Sequence, residues 1–228
     1  MVYEREKRYE RNGTSVTPED NVILANKRVC IVGCGGLGGY IAEMLVRVGV
    51  TQLTLIDYDV FDETNLNRQL FSTESGIGKS KVEEARKRLL AVDSRVQLTL
   101  HQAKLTAENA QELIAGHDIV VDALDNIEGR WIAANVCQSL GIPFVHGAIG
   151  GWYGQVSVVM PDGKGLEQLY GTSGDADVDK TLGNLPFVAG FVACMQVAEV
   201  VKLLLGKQPN LQGSFARVDL STYELDVF

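Results

Sequence analysis

The stretch Val29–Gly39, VCIVGCGGLGG, is an apolar run that ends in a cluster of glycines and continues into helix-forming sequence. That order dictates a buried strand, a tight turn and a helix, and the backbone N–H groups at such a turn can hold phosphate. Gly33, Gly35 and Gly38 carry the G-x-G-x-x-G spacing, with Gly36 and Gly39 beside them. Asp57 closes the next apolar run about 20 residues on, where nucleotide-binding folds place a carboxylate for a ribose hydroxyl. Taken alone, these residues suit an NAD enzyme or a flavoprotein as well as any other user of nucleotides.

The rest of the chain extends the same pattern. Strands are predicted at Val29–Val32, Gln52–Asp57, Val96–Leu100, Ile119–Ala123 and Pro143–His146. Helices are predicted at Gly36–Val48, Lys79–Val92, Ala107–Ala115 and Ile127–Leu140. Alternation of this kind produces a mainly parallel sheet covered on both faces. Residues 1–26 read as a charged amphipathic helix, a polar turn and a short helix opened by Thr17-Pro18-Glu19-Asp20. After about Gly150 the character changes. Gly154–Met160 alternates polar and apolar, 161–184 reads as an exposed crossover loop, Leu185–Leu205 as an amphipathic helix, and Phe215–Leu220 with Thr222–Val227 as a hairpin around Ser221. The expected fold is α/β: a doubly wound, Rossmann-like, mainly parallel sheet with a C-terminal antiparallel extension. It forms one unit over 1–228, with an arm at 1–26, a nucleotide-binding core at 27–150 and the extension at 151–228.

Composition narrows the function. The 228 residues carry a net charge of −8, which opposes a large nucleic-acid footprint or an anionic membrane surface. The charged N-terminus does not read as a signal peptide, and Gln196, Glu199 and Lys202 interrupt the longest apolar run, so a cytoplasmic location is expected. Four cysteines, Cys30, Cys34, Cys137 and Cys194, form no CxxC pair, so no zinc site is expected. Cys30, Cys137 and Cys194 read as small core residues, and Cys34 as part of the glycine turn.

Other motifs gather near the glycine turn. Asn65-Leu66-Asn67-Arg68-Gln69 follows the ribose position, and Gly78-Lys79-Ser80-Lys81 opens the next helix. Arg68 and Lys81 would neutralise charge on a leaving pyrophosphate, which hydride transfer does not require. Asp122-Ala123-Leu124-Asp125-Asn126 sits at the end of another strand, where a carboxylate can hold Mg2+ against phosphate.

In this combination the chain resembles the MoeB–ThiF–HesA family, bacterial relatives of the ubiquitin-activating enzymes. The likeness rests on RYERN at 8–12, GCGGLG at 33–38, IDYDVFDETNLNRQ at 56–69, GKSKVEEA at 78–85, DALDN at 122–126 and MQVAEVVKLLLG at 195–206. The resemblance implies an ATP- and Mg2+-dependent adenylyltransferase acting on the C-terminal glycine carboxylate of a small ubiquitin-fold sulfur-carrier protein that ends in Gly-Gly. It implies Gly33, Gly35, Gly36 and Gly38 around the nucleotide and Asp57 on the ribose. Asn67, Arg68, Gln69 and Lys81 would surround the triphosphate, with Asp125 as Mg2+ ligand and catalytic residue. Asp59, Asn65 and Asn126 fall in the same motifs and are candidate nucleotide contacts. Arg11 matches an arginine that family homodimers insert into the neighbouring subunit's site, so a homodimer is expected.

Two departures restrict this expectation. The region after Gly154–Met160 reads PDGKGLEQLYG and lacks the zinc-binding cysteine pair found in many members. The crossover loop holds Thr181 about where many members carry a transfer cysteine, and a threonine hydroxyl without a base is a poor substitute. Adenylation without an enzyme-bound thioester is expected. The alternatives are adenylation of a peptide or metabolite carboxylate, and a non-catalytic nucleotide-binding scaffold.

Overall fold

A computed structural model describes residues 6–163, 166–171 and 180–228. Eight strands form one sheet: β1 (Arg28–Val32), β2 (Gln52–Ile56), β3 (Gln97–His101), β4 (Ile119–Asp122), β5 (Phe144–Gly150), β6 (Tyr153–Val159), β7 (Phe215–Asp219) and β8 (Glu224–Val227). Their spatial order is β3-β2-β1-β4-β5-β6-β7-β8. Pairing is parallel from β3 through β5 and antiparallel from β5 to β8. The expected doubly wound core with an antiparallel extension is therefore the observed fold.

The direction of winding reverses between β1 and β4, which opens a crevice at the carboxyl ends of these strands. One face of the sheet is covered by α1 (Pro18–Ala25), α2 (Gly38–Val48), α3 (Lys81–Val92) and α7 (Pro186–Leu204). The other is covered by α4 (Ala110–Ile114), α5 (Ile127–Leu140) and α6 (Glu167–Tyr170). Local chemistry sets the ends of these helices. Thr17 and Asp20 form a reciprocal capping box at α1, Asn126 caps α5 by accepting from the Gly129 amide at 2.8 Å, and Gly49 closes α2 at φ +116°.

Four expectations need correction. The N-terminal arm is a 3-10 helix over Lys7–Asn12 rather than an amphipathic α-helix, and residues 1–5 lie outside the described residues. Helix α7 has a mean hydropathy of 1.8, enough by length and composition to cross a membrane, yet it packs against α2, β5 and β6 in the core. Its polar residues point inward, the reverse of an amphipathic pattern. Gln196 donates to the carbonyls of Asp122 and Val145, and Glu199 accepts from the Asn210 amide at 2.8 Å and pairs with Lys202. The outward positions hold Phe187, Phe191 and Cys194, so Cys194 is exposed and its thiol faces Met44 rather than the core. The crossover segment contains α6, whose Tyr170, with Leu166 just before it, is buried, and a 3-10 helix at Lys180–Leu182 with Thr181 exposed. Residues 164–165 and 172–179 of that loop lie outside the described residues.

Candidate active site

The switch-point crevice is a cleft of about 480 Å³. The turn after β1 forms its floor. Gly33 has φ +100°, and a Cβ there would sit 2.5 Å from the Ala123 carbonyl oxygen, so the turn lies directly against the backbone leaving β4. A Cβ on Gly38 would collide with the Gly33 carbonyl. These two glycines are required by the protein itself. Gly35 and Gly36 are different. A Cβ at Gly35 would meet Gln69 at 3.5 Å, and one at Gly36 would meet Arg68 at 3.6 Å and Ala189 at 3.8 Å, all ordinary contact distances, and both glycines line the cleft. Packing within the described residues does not require glycine at either position, and the turn leaves open space toward the cleft.

The Asp57 carboxylate braces that turn. Its Oδ2 accepts from the Cys34 amide at 2.7 Å and its Oδ1 from the Asp59 amide at 2.8 Å. Each oxygen keeps a second lone pair, so acceptor capacity toward a hydroxyl in the cleft remains. Lys81 is buried at the start of α3, and its ammonium lies 2.9 Å from Asp59 Oδ2. Asp59 thus anchors Lys81, and two of the three ammonium protons stay available to a polyanion. Arg68 is held by the Thr64 carbonyl and by Asn67 Oδ1 at 3.1 and 2.9 Å. Gln69 lines the cleft beside Gly35, and its buried Oε1 finds no hydrogen-bond partner among the described residues.

Asp125 is exposed on the loop after β4 and accepts from Asn126 at 3.3 Å. Of the residues singled out from sequence, Gly33, Gly35, Gly36, Asp57, Asp59, Arg68, Gln69, Lys81, Asp125 and Asn126 line this single cleft. Gly38, Asn65 and Asn67 do not. Gly38 packs under the turn, Asn65 is a buried cap that accepts from the Asp62 amide, and Asn67 donates to the Asn184 carbonyl at 3.0 Å. Arg11 is exposed on the arm and is not part of the cleft lining.

Sequence reasoning missed one wall. Ala103–Glu108, including Lys104, follows β3 and lines the cleft. It contains no motif, but a loop at the carboxyl end of a strand next to the switch point carried that signal through its position. Arg130 was also missed. Burial raises the thiols of Cys30, Cys34 and Cys137, the last to about 12, so no thiolate nucleophile forms at these positions near neutral pH.

The SAMP-activating enzyme E1 of Haloferax volcanii is 37% identical over 204 residues, covering 87% of this chain and 74% of that protein. The adenylyltransferase and sulfurtransferase MOCS3 of Aedes aegypti is 32% identical over 200 residues, 86% of this chain and 46% of that protein, so the chain spans about half of that relative. The crystal structure of E. coli MccB with ATP shares the fold with a TM-score of 0.87 at 20% identity, covering 98% of this chain and 71% of that one. The doubly wound frame, the glycine-floored cleft and these relatives define a nucleotidyltransferase of the adenylyl-transferring class. The ThiF family model matches residues 9–228, and the chain belongs to the ThiF family.

Proposed function

We propose that the chain adenylates the C-terminal glycine carboxylate of a small ubiquitin-fold sulfur-carrier protein, using ATP and Mg2+ and releasing pyrophosphate. The observation that carries this reading is the convergence of Arg68, Lys81 and Asp125 on one cleft above a turn whose Gly35 and Gly36 leave open space. The likeness to an enzyme named for activating SAMP supports a protein substrate.

In this reading Asp57 accepts from the ribose and the glycine turn lies beneath the phosphates. A carboxylate oxygen of the substrate attacks the α-phosphorus. As the new P–O bond forms, the bond from that phosphorus to its bridging oxygen breaks, and the electron pair leaves on pyrophosphate. Arg68 and Lys81 offset the charge that builds on the leaving group. No protein nucleophile takes part, so catalysis is positioning and charge stabilisation. Among the described residues no three acidic, His or Cys side chains cluster as a metal cage. Asp125 alone would hold Mg2+ together with phosphate oxygens, which is how this ion is commonly bound; its chemistry there is neutralisation of phosphate charge. Arg11, on the exposed arm, would act on the cleft of a second copy in a homodimer.

The test is incubation with ATP, Mg2+ and each Gly-Gly-ending ubiquitin-fold protein of the source organism, followed by intact-mass measurement. One carrier should gain an adenylyl group. Pyrophosphate release with a free peptide or metabolite and with no carrier would assign a different carboxylate. ATP binding without any product would make the chain a scaffold.

A further inference from the structure

Beneath the Asp125 loop lies a set of buried polar side chains that the adenylation reading does not use. Asp122, Arg130 and His146 are all buried, and they come from β4, α5 and β5. His146 Nδ1 lies 2.6 Å from Asp122 Oδ2, and its Nε2 lies 3.0 Å from the Tyr170 hydroxyl of α6. The Tyr170 oxygen in turn accepts from Arg130 at 3.1 Å and from Gln155 at 2.9 Å. With both acceptor positions of that oxygen filled, its proton goes to His146 Nε2. The imidazole is then neutral and donates from Nδ1 to Asp122. Burying this many polar groups is costly unless they are paired, so the set holds one geometry or comes apart.

The network ends on one residue. The Leu124 amide donates to Asp122 Oδ1 at 2.9 Å, and the Leu124 carbonyl accepts from Arg130 at 2.7 Å. Both backbone polar groups of the residue immediately before Asp125 are therefore fixed by the buried set. The Asp125 side chain is exposed and, among the described residues, hydrogen-bonds Asn126 alone, so its placement is inherited from Leu124. On the other side the network ends on Tyr170, at the end of α6 in the crossover segment, where its ring packs edge-on against His146 with centroids 5.6 Å apart.

We propose that Tyr170, His146 and Arg130 are positioning residues that brace the loop carrying Asp125 and couple its placement to the docking of α6. The catalytic consequence rests on the role proposed for Asp125; the brace itself does not. Tyr170→Phe removes one hydroxyl and keeps the ring. Hydrogen–deuterium exchange of the nucleotide-free protein is measured on the peptide covering 123–126, with β3 as reference. The brace predicts amide exchange at 123–126 about tenfold faster in the variant and unchanged exchange in β3. Arg130→Lys, which keeps the charge but cannot bridge Leu124 and Tyr170 together, should loosen the same peptide and serves if Tyr170→Phe does not fold.

In pyrophosphate exchange, both variants should need several-fold more Mg2+ for half-saturation and lose up to ~10²-fold in kcat, since a shift of about 1 Å can cost that much. The KM for ATP at saturating Mg2+ should stay within twofold. Unchanged exchange at 123–126, or loosening spread evenly over the sheet, overturns the brace. A loosened loop in a protein whose wild type adenylates nothing would leave the brace standing and remove the proposed function.

Discussion

Along the parallel half of the sheet, charged side chains gather on loops at the strand ends and look into a cleft. Along the antiparallel half and α7, the conspicuous polar groups, Gln196 and Glu199, are buried and bond to backbone of the protein itself. The two halves use polarity differently. In the first, the side chains of Arg68, Lys81 and Asp125 line an open cleft above the glycine turn. In the second, Gln196 Nε2 joins α7 to the carbonyls of Asp122 and Val145 and Glu199 holds the segment before β7, while Gln196 Oε1 finds no hydrogen-bond partner among the described residues. Changes in the first half should therefore alter binding and chemistry, and changes in the second should alter stability.

The sharpest contrast falls within the glycine turn. Gly38→Ala forces a Cβ into the Gly33 carbonyl and should cost about 4 kcal/mol or more, enough to abolish soluble folded protein. Gly35→Ala should shift stability by no more than about 0.5 kcal/mol in thermal melting, yet weaken nucleotide binding measured by calorimetry. A Gly35→Ala variant that binds ATP as well as the wild type would break the comparison at its centre. Lys81→Ala and Arg68→Ala should each lower the exchange rate by about 2.7–4 kcal/mol equivalent, with folding retained in circular dichroism. Glu199→Ala, far from the cleft, should cost about 1–3 kcal/mol in denaturant unfolding by leaving the Asn210 amide unpaired, with the KM for ATP unchanged.

The smallest effect concerns pH. Arg95 and Arg8 hold the Asp93 carboxylate down at about 2, and the same arginines pair with Glu6, tying the arm to the segment after α3. A carboxylate lowered on folding adds stability above its unfolded pKa of about 4, and that stability is lost as the pH falls from there toward 2. Both arginines are about half exposed, so solvent screening limits the contribution to about 1–2 kcal/mol. Asp93→Asn should flatten the acid limb of the stability profile between pH 4 and 2 by that amount.

The parallel half was legible because its signals are local. Glycine spacing, apolar runs and strand-end carboxylates all fall within short windows, and the structure brings ten of the motif residues to one cleft. The antiparallel half resisted for the opposite reason. Gln196 looks like the polar face of an amphipathic helix until its partner, the Asp122 carbonyl 74 residues away, is known. The same inversion put Cys194 on the surface when its apolar neighbours Phe191 and Val192 had suggested the core. The buried brace drew no notice in the sequence: Asp122 was read only with its neighbours in the motif at 122–126, while its partners His146 and Tyr170 follow 24 and 48 residues on and belong to no motif. Asn65 was selected with its motif neighbours, but it spends its side chain on a local cap.

The most direct test of the central claim is ATP–pyrophosphate exchange with Mg2+, run alone and with each Gly-Gly-ending ubiquitin-fold protein, with Asp125→Ala in parallel. The account predicts exchange that requires one such carrier and disappears in the variant. Carrier-dependent exchange that survives Asp125→Ala undiminished, or no exchange with any carrier despite ATP binding, would contradict it.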